Sequence, residues 1–95
     1  LYISVDENNS IEKLVKAIPN PANNNVTIVF ELDNANTTQI FVKDLAGKQV
    51  IAKNVNGISG YNNVDLDVSS LNAGVYFYSV VINGQATTKK LVVTH

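Results

Sequence analysis

Short runs rich in β-branched and aromatic residues recur along this chain, and clusters of Asn, Gly, Asp and Ser separate them. Between positions 26 and 32, every second residue is apolar: Val26, Ile28, Phe30 and Leu32. A period of two is typical of a strand with one buried face, whereas a helix repeats every 3.6 residues. The pattern therefore predicts an all-β protein.

Five further segments have the same character, at positions 38–44, 48–53, 62–68, 75–82 and 87–94. Gly47, between segments 38–44 and 48–53, tolerates the positive φ of a hairpin turn. Asn83-Gly84 is a strong two-residue hairpin signal. Segment 75–82 is apolar or aromatic on both faces, so we expect it to lie centrally with both faces covered. Together these features predict an immunoglobulin-like antiparallel β-sandwich of six to seven strands.

Size and composition indicate one folded module. The chain has 95 residues, of which 45% are hydrophobic and 16% charged, with a net charge of −1. Seven scattered basic residues offer no basis for gripping nucleic acid, and the sequence contains neither a transmembrane run nor a signal peptide. Because the chain begins at Leu1 and contains no Met, we expect it to be the C-terminal part of a longer protein, with residues 1–17 as a linker.

The sequence offers no catalytic constellation. It has no Cys, its only His is His95, and no Ser has an evident base nearby. Asp65 and Asp67 could supply oxygen ligands to calcium, but the looped pattern of a calcium site is missing, and a solvated strand face is the favoured interpretation. We therefore predict no enzyme activity, no cofactor and no metal.

Three short motifs stand out. Pro19, Asn20 and Pro21 form a stiff segment without proline N–H donors, which we expect to enter the sandwich unpaired. Gly74 would permit a close approach just before Tyr76 on the central strand. Lys89 and Lys90 should point to opposite faces of the last strand, where a lysine either protects a sheet edge or marks a docking surface.

The order and spacing of these motifs resemble the type A C-terminal sorting domain of the type IX (Por) secretion system of Bacteroidetes. The resemblance rests on four stretches over residues 18–95: Ile18-Pro19-Asn20-Pro21-Ala22, Asp44-Leu45-Ala46-Gly47-Lys48, Val64 to Tyr76, and Thr88-Lys89-Lys90-Leu91-Val92-Val93. It implies a non-catalytic signal at the end of a cargo protein.

The resemblance also implies the partners. These are the outer-membrane export machinery, a covalently linked N-terminal cargo domain, and a surface sortase-like cysteine protease that cleaves the domain and joins the cargo to anionic lipopolysaccharide. The implied location is secreted or on the cell surface, reached through the periplasm of a Gram-negative bacterium. The residues expected to serve recognition or fold geometry are Pro19, Asn20, Pro21, Gly74, Tyr76, Lys89 and Lys90.

A carbohydrate-binding or adhesin module is the alternative, because β-sandwiches host many unrelated functions. It would use Tyr2, Tyr61 or Tyr78 as stacking platforms. Tyr76 and Tyr78 share a face with Val80, and the sequence leaves open whether this aromatic stripe is core or a recognition patch. A structural spacer is a third possibility.

Overall fold

The computed structural model describes residues 15–95, and within them the chain forms seven β-strands. They are β1 (Val15–Ile18), β2 (Asn25–Leu32), β3 (Asn36–Lys43), β4 (Gln49–Gly57), β5 (Gly60–Asp67), β6 (Gly74–Ile82) and β7 (Gln85–Val93). Over this part of the chain no helix has the length and apolar character needed to cross a membrane. The predicted all-β character is confirmed.

The strands form two antiparallel sheets. One has three strands in the order β1-β2-β5, and the other has four in the order β4-β3-β6-β7. Strands β2 and β5 thus lie in one sheet, and β3, β6 and β7 lie in the other. Immunoglobulin-like sandwiches divide the strands with the same sequence positions in the same way. The predicted β-sandwich is confirmed.

The core lies between the sheets, and the alternation of buried and exposed residues is strictest in β2 and β5. In β2 the four apolar residues predicted to share a face are all buried, with Phe30 and Ile28 fully enclosed. In β5 the buried positions also alternate with exposed ones, and Asn62 is the polar member of that inner face. The buried apolar residues from both sheets form one cluster, so a single core stabilises the domain.

Strand β6 lies inside its sheet, hydrogen-bonded to β3 on one side and β7 on the other. Its inner face is buried, with Tyr76, Tyr78 and Val80 in the core. Its outer face is not covered, and Phe77 there is 39% exposed. The prediction that both faces would be covered is wrong, because no third layer packs on this sheet within the described residues.

The turns follow the predicted chemistry. Gly47 has a φ of 86° in the β3–β4 connection, where Asp44 Oδ1 accepts hydrogen bonds from the N–H groups of Ala46 (3.0 Å) and Lys48 (2.9 Å). Asn83 and Gly84 have φ values of 54° and 77°, as a two-residue turn with positive φ at both positions requires. They join β6 to β7, and these strands pair antiparallel as predicted.

The predicted linker, residues 1–17, falls largely outside the described residues. Its last three positions, 15–17, lie in β1, where Val15 is buried against the core. The boundary between linker and domain stays a prediction.

Candidate functional site

The segment 19–21 carries the chain from one sheet to the edge of the other. Strand β1 belongs to the three-stranded sheet, and β7 forms an edge of the four-stranded sheet. Pro19 and Pro21 both follow cis peptide bonds, and both side chains are exposed. Between them, the Asn20 carboxamide reaches β7: its Nδ2–H donates to the carbonyl of Lys90 (3.0 Å), and its Oδ1 accepts from the N–H of Val92 (3.0 Å).

Backbone hydrogen bonds continue this attachment. Ala22 donates its N–H to the carbonyl of Val92 (2.7 Å) and accepts from the N–H of Thr94 (2.7 Å), which forms a parallel bridge opposite Val93. Together, the Asn20 side chain and the Ala22 backbone satisfy backbone N–H and C=O groups on the open edge of β7, in the second half of that strand. The backbone of residues 19–21 joins no strand, as the prolines predict, and the attachment comes from the Asn20 side chain and from Ala22. The segment thereby protects a sheet edge that would otherwise be open to another strand.

Tyr76 fixes the connection between β5 and β6. Its ring is buried, and its hydroxyl donates a 2.7 Å hydrogen bond to the backbone carbonyl of Asn72, four residues earlier. A tyrosine at the start of the sixth strand with this bond is the tyrosine corner of immunoglobulin-like sandwiches. Within the stretch from Leu71 to Tyr76, the tyrosine thus has a structural role.

Gly74 opens β6 with its backbone at a φ of 157°, a conformation that L side chains rarely adopt. A Cβ built there would have no heavy atom within 4 Å, so the predicted close approach is wrong. Glycine serves the backbone conformation at this position and not the packing.

Lys89 and Lys90 point to opposite faces of β7, as the sequence predicts. Lys89 is half-buried on the inner face, and its Nζ donates a 2.7 Å hydrogen bond to the carbonyl of Val15 in β1. It therefore links the two sheets. Lys90 is exposed on the outer face, next to Phe77 in the β6–β7 register.

Most of the predicted site residues gather around the second half of β7. Gly74 lies opposite Val93 in the strand register, and the Asn20 carboxamide holds the backbone of Lys90. The His95 ring donates from Nε2 to the carbonyl of Leu71 (2.6 Å), which ties the end of the chain to the same corner. The fold thus brings together motifs that are some 70 residues apart in sequence.

A cavity of about 460 Å³ lies at the other end of the sandwich, near the β6–β7 turn. Leu32 and Ile82 contribute apolar walls, and Glu31 and Asp33 contribute carboxylates. None of the predicted site residues lines it. The cavity and the motif cluster are therefore separate features.

Comparison with known families settles the classification. A family model described as the secretion system C-terminal sorting domain matches residues 16–94. The chain belongs to this family. No curated protein sequence matches it.

The sorting domain is accordingly a signal for type IX secretion, and it acts with the secretion machinery and a cargo protein. Secretion or export to the cell surface follows from this role. Members of the family are generally non-catalytic.

The aromatic stripe on β6 of the sorting domain does not form a stacking platform. Tyr78 is 2% exposed, so the prediction that it could stack on a sugar is wrong. The stripe formed by Tyr76 and Tyr78 belongs to the core. Tyr61 is 67% exposed on β5, and Tyr2 lies outside the described residues.

The carboxylates of β5 are engaged locally. Asp65 Oδ1 accepts a hydrogen bond from Thr27 Oγ1 (2.7 Å), and Asp67 Oδ1 accepts from the N–H (2.9 Å) and Oγ (2.6 Å) of Ser69. The Ser69 side-chain and backbone bonds lower the pKa of Asp67. Across residues 15–95, no group of three or more His, Asp or Glu side chains is placed to hold a metal ion.

Sequence reasoning missed two residues of the outer face, Phe77 and its neighbour Lys43. The register places Lys43 on one side of Phe77 and Lys90 on the other. No local signal in the sequence could have revealed this row, because it depends on β3 lying next to β6.

Proposed function

We propose that the outer-membrane export machinery reads the folded sorting domain at the corner where segment 19–21 meets β7. Pro19, Asn20, Pro21 and Lys90 present the exposed contact surface. Gly74, Tyr76 and Lys89 maintain the geometry behind it, since Tyr76 is buried and Lys89 bonds to β1.

The attachment of Asn20 to β7 is the observation that carries this proposal. Its two 3.0 Å hydrogen bonds hold the prolines against the strand that presents Lys90, so motifs distant in sequence become one rigid surface. A receptor can recognise such a surface only after the domain has folded. This favours a folded signal over a linear one.

After transit, cleavage in the linker by a surface sortase-like cysteine protease releases the cargo for attachment to anionic lipopolysaccharide. We place the cut in the part of the predicted linker that precedes Val15, because from Val15 onward the chain is tied into the sheet by the β1–β2 pairing. Terminal sequencing of an exported cargo and mass measurement of the released domain test this step. A cut anywhere from Val15 onward would contradict it.

Export of a fluorescent reporter tests the signal itself. The reporter carries an N-terminal signal peptide and residues 1–95 at its C-terminus, and it is expressed in a type IX-competent Bacteroidetes host and in a translocon-deficient strain. We expect fluorescence at the surface or in the medium of the competent host only. Retention in the periplasm of both strains would overturn the proposal.

Lys90→Ala separates recognition from folding. Lys90 is exposed, so its loss should abolish export and leave thermal unfolding nearly unchanged. Lys48→Ala removes another exposed charge, in the β3–β4 connection, and is the matched control, with export retained. A large loss of stability on Lys90→Ala would refute this division of roles.

The alternative, a carbohydrate-binding or adhesin module, draws its support from Tyr61, the exposed tyrosine among residues 15–95. It predicts measurable glycan affinity that is lost in Tyr61→Ala. A glycan array without binding to the intact chain would remove this alternative.

A further inference from the structure

Charge is distributed unequally between the two sheets. The four strands β3, β4, β6 and β7 carry four lysines and no Asp or Glu along their lengths. The strands of the three-stranded sheet carry one lysine, Lys16, and three carboxylates, those of Glu31, Asp65 and Asp67. The strands of the four-stranded sheet are therefore cationic, although the net charge of the whole chain is −1.

Two of these lysines flank an exposed aromatic ring. Lys43 is the register partner of Phe77 on β3, and Lys90 is its partner on β7, so the three residues form a row across the outer face. Adjacent strands lie about 5 Å apart, which places the two lysine Cα atoms about 10 Å from each other. Both lysines are exposed, and Phe77 is 39% exposed.

Apolar side chains extend the row into a patch. Val75 and Val92 are paired neighbours one step along β6 and β7, and both are partly exposed on the same face. We name Lys43, Val75, Phe77, Lys90 and Val92 the Phe77 face. An aromatic and aliphatic centre with charged residues at its sides is the arrangement of a protein–protein interface.

The chemistry of this face identifies the kind of partner. Its strands carry no carboxylate that could neutralise the lysines from within the sheet, so a partner with acidic residues around an apolar contact gains complementary charge. The two lysines lie on either side of an aromatic and aliphatic centre, so the face offers apolar contact area as well as charge, as protein–protein interfaces do. These features favour an acidic protein surface over an anionic lipid or glycan.

We propose that the Phe77 face docks an acidic protein surface of the export route, with Phe77 as the anchor and Lys43 and Lys90 as flanking contacts. This inference rests on the proposed function and names a partner chemistry for it. The contact lies on the outer face of the four-stranded sheet. Lys90 connects it to the corner at segment 19–21, because Asn20 donates a hydrogen bond to the Lys90 carbonyl.

Matched substitutions in the exported reporter test the face. Phe77→Ser and Lys43→Glu should each lower the exported fluorescence by at least about tenfold, since juxtaposed like charges or a lost anchor cost more than one decade in affinity. Tyr61→Ser and Lys16→Glu make the same chemical changes at exposed positions of the other sheet and should leave export unchanged. Thermal unfolding of each purified chain confirms that the variants fold.

The outcomes for this face and for the sorting function can be distinguished. If the unsubstituted reporter is not exported, the sorting function fails and the face fails with it. If it is exported and the Phe77→Ser and Lys43→Glu reporters are exported equally well, the sorting function stands and the docking face is overturned.

A photoreactive phenylalanine analogue at position 77, with the same analogue at position 61 as control, identifies the occupant. Irradiation of exporting cells should give an adduct from position 77 on a peptide containing Asp or Glu, and Lys43→Glu should reduce its yield. An adduct to a second copy of this chain, to a lipid or glycan, or to a peptide without acidic residues would overturn the proposal. So would equal adduct formation from position 61.

Discussion

The hydroxyl of Tyr76 donates a 2.7 Å hydrogen bond to the backbone carbonyl of Asn72, and this bond closes the corner between β5 and β6. The ring lies in the core while the hydroxyl reaches the loop. The Tyr76 side chain, near the start of β6, thereby holds the β5–β6 connection at Asn72.

Tyr76→Phe removes this bond and keeps the ring. Because the Asn72 carbonyl is in an exposed loop where water can replace the hydroxyl, we expect a loss of about 1 kcal/mol in the free energy of unfolding. Urea denaturation with an unchanged m-value measures it. A loss above about 3 kcal/mol would mean that the corner does more than close one hydrogen bond.

Asn20→Ala exposes the edge of β7. It removes two hydrogen bonds, so we expect a loss of about 1–2 kcal/mol together with increased self-association, since the Lys90 carbonyl and the Val92 N–H become open to another strand. Denaturation and light scattering measure the two effects. Asn63→Ala, at an exposed position on β5, is the control and should change neither.

Lys89 and Lys90 should differ in their effect on stability. Lys89→Met removes the hydrogen bond from Nζ to the Val15 carbonyl and should cost about 1–2 kcal/mol, whereas Lys90→Met at the exposed neighbouring position should cost less than about 0.5 kcal/mol. The melting temperatures should differ by about 4–8 °C for a domain of this size. Equal melting temperatures would show that the Lys89 bond does not stabilise the fold.

Thr38→Val should stabilise the domain. Thr38 is 0% exposed, and its Oγ1 has no hydrogen-bond partner among residues 15–95, so the folded state bears the cost of removing a hydroxyl from water. Valine has the same shape without that cost, and we expect a gain of about 1 kcal/mol in chemical denaturation. Thr37→Val at the exposed neighbouring position should change stability little, and destabilisation by Thr38→Val would indicate that the hydroxyl is satisfied in solution.

Tyr78 should make the domain sensitive to alkaline pH. Burial raises the pKa of its hydroxyl above the usual value near 10. Stability is therefore complete below pH 10 and declines as the pH rises through the raised pKa, because the unfolded chain releases the proton first. Tyr78→Phe should flatten this decline in denaturation curves measured from pH 8 to 11.5, and identical pH profiles for the two proteins would contradict the assignment.

Phe77 and Asn20 show where sequence reasoning reached its limit. The sequence indicates that Phe77 lies on a strand and that Asn20 stands between two prolines, and both statements hold. Their partners are Lys43 and the β7 backbone, which are far away along the chain. Sequence periodicity reports which face of its own strand a side chain occupies, but not what lies opposite.

The sequence by itself determined strands β2 to β7, the inward residues of β2 and β5, and the turns, because these depend on interactions over a few residues: alternation of apolar side chains, and positive φ at Gly47, Asn83 and Gly84. Strand β1, whose first three residues the sequence assigned to the linker, was not among them. Only the tertiary structure decided that segment 19–21 covers the β7 edge, that Tyr78 is core, and that the four-stranded sheet is cationic with one open face. Those features arise from strand order and sheet packing, which are set by the collective burial of one core and by pairing between distant segments.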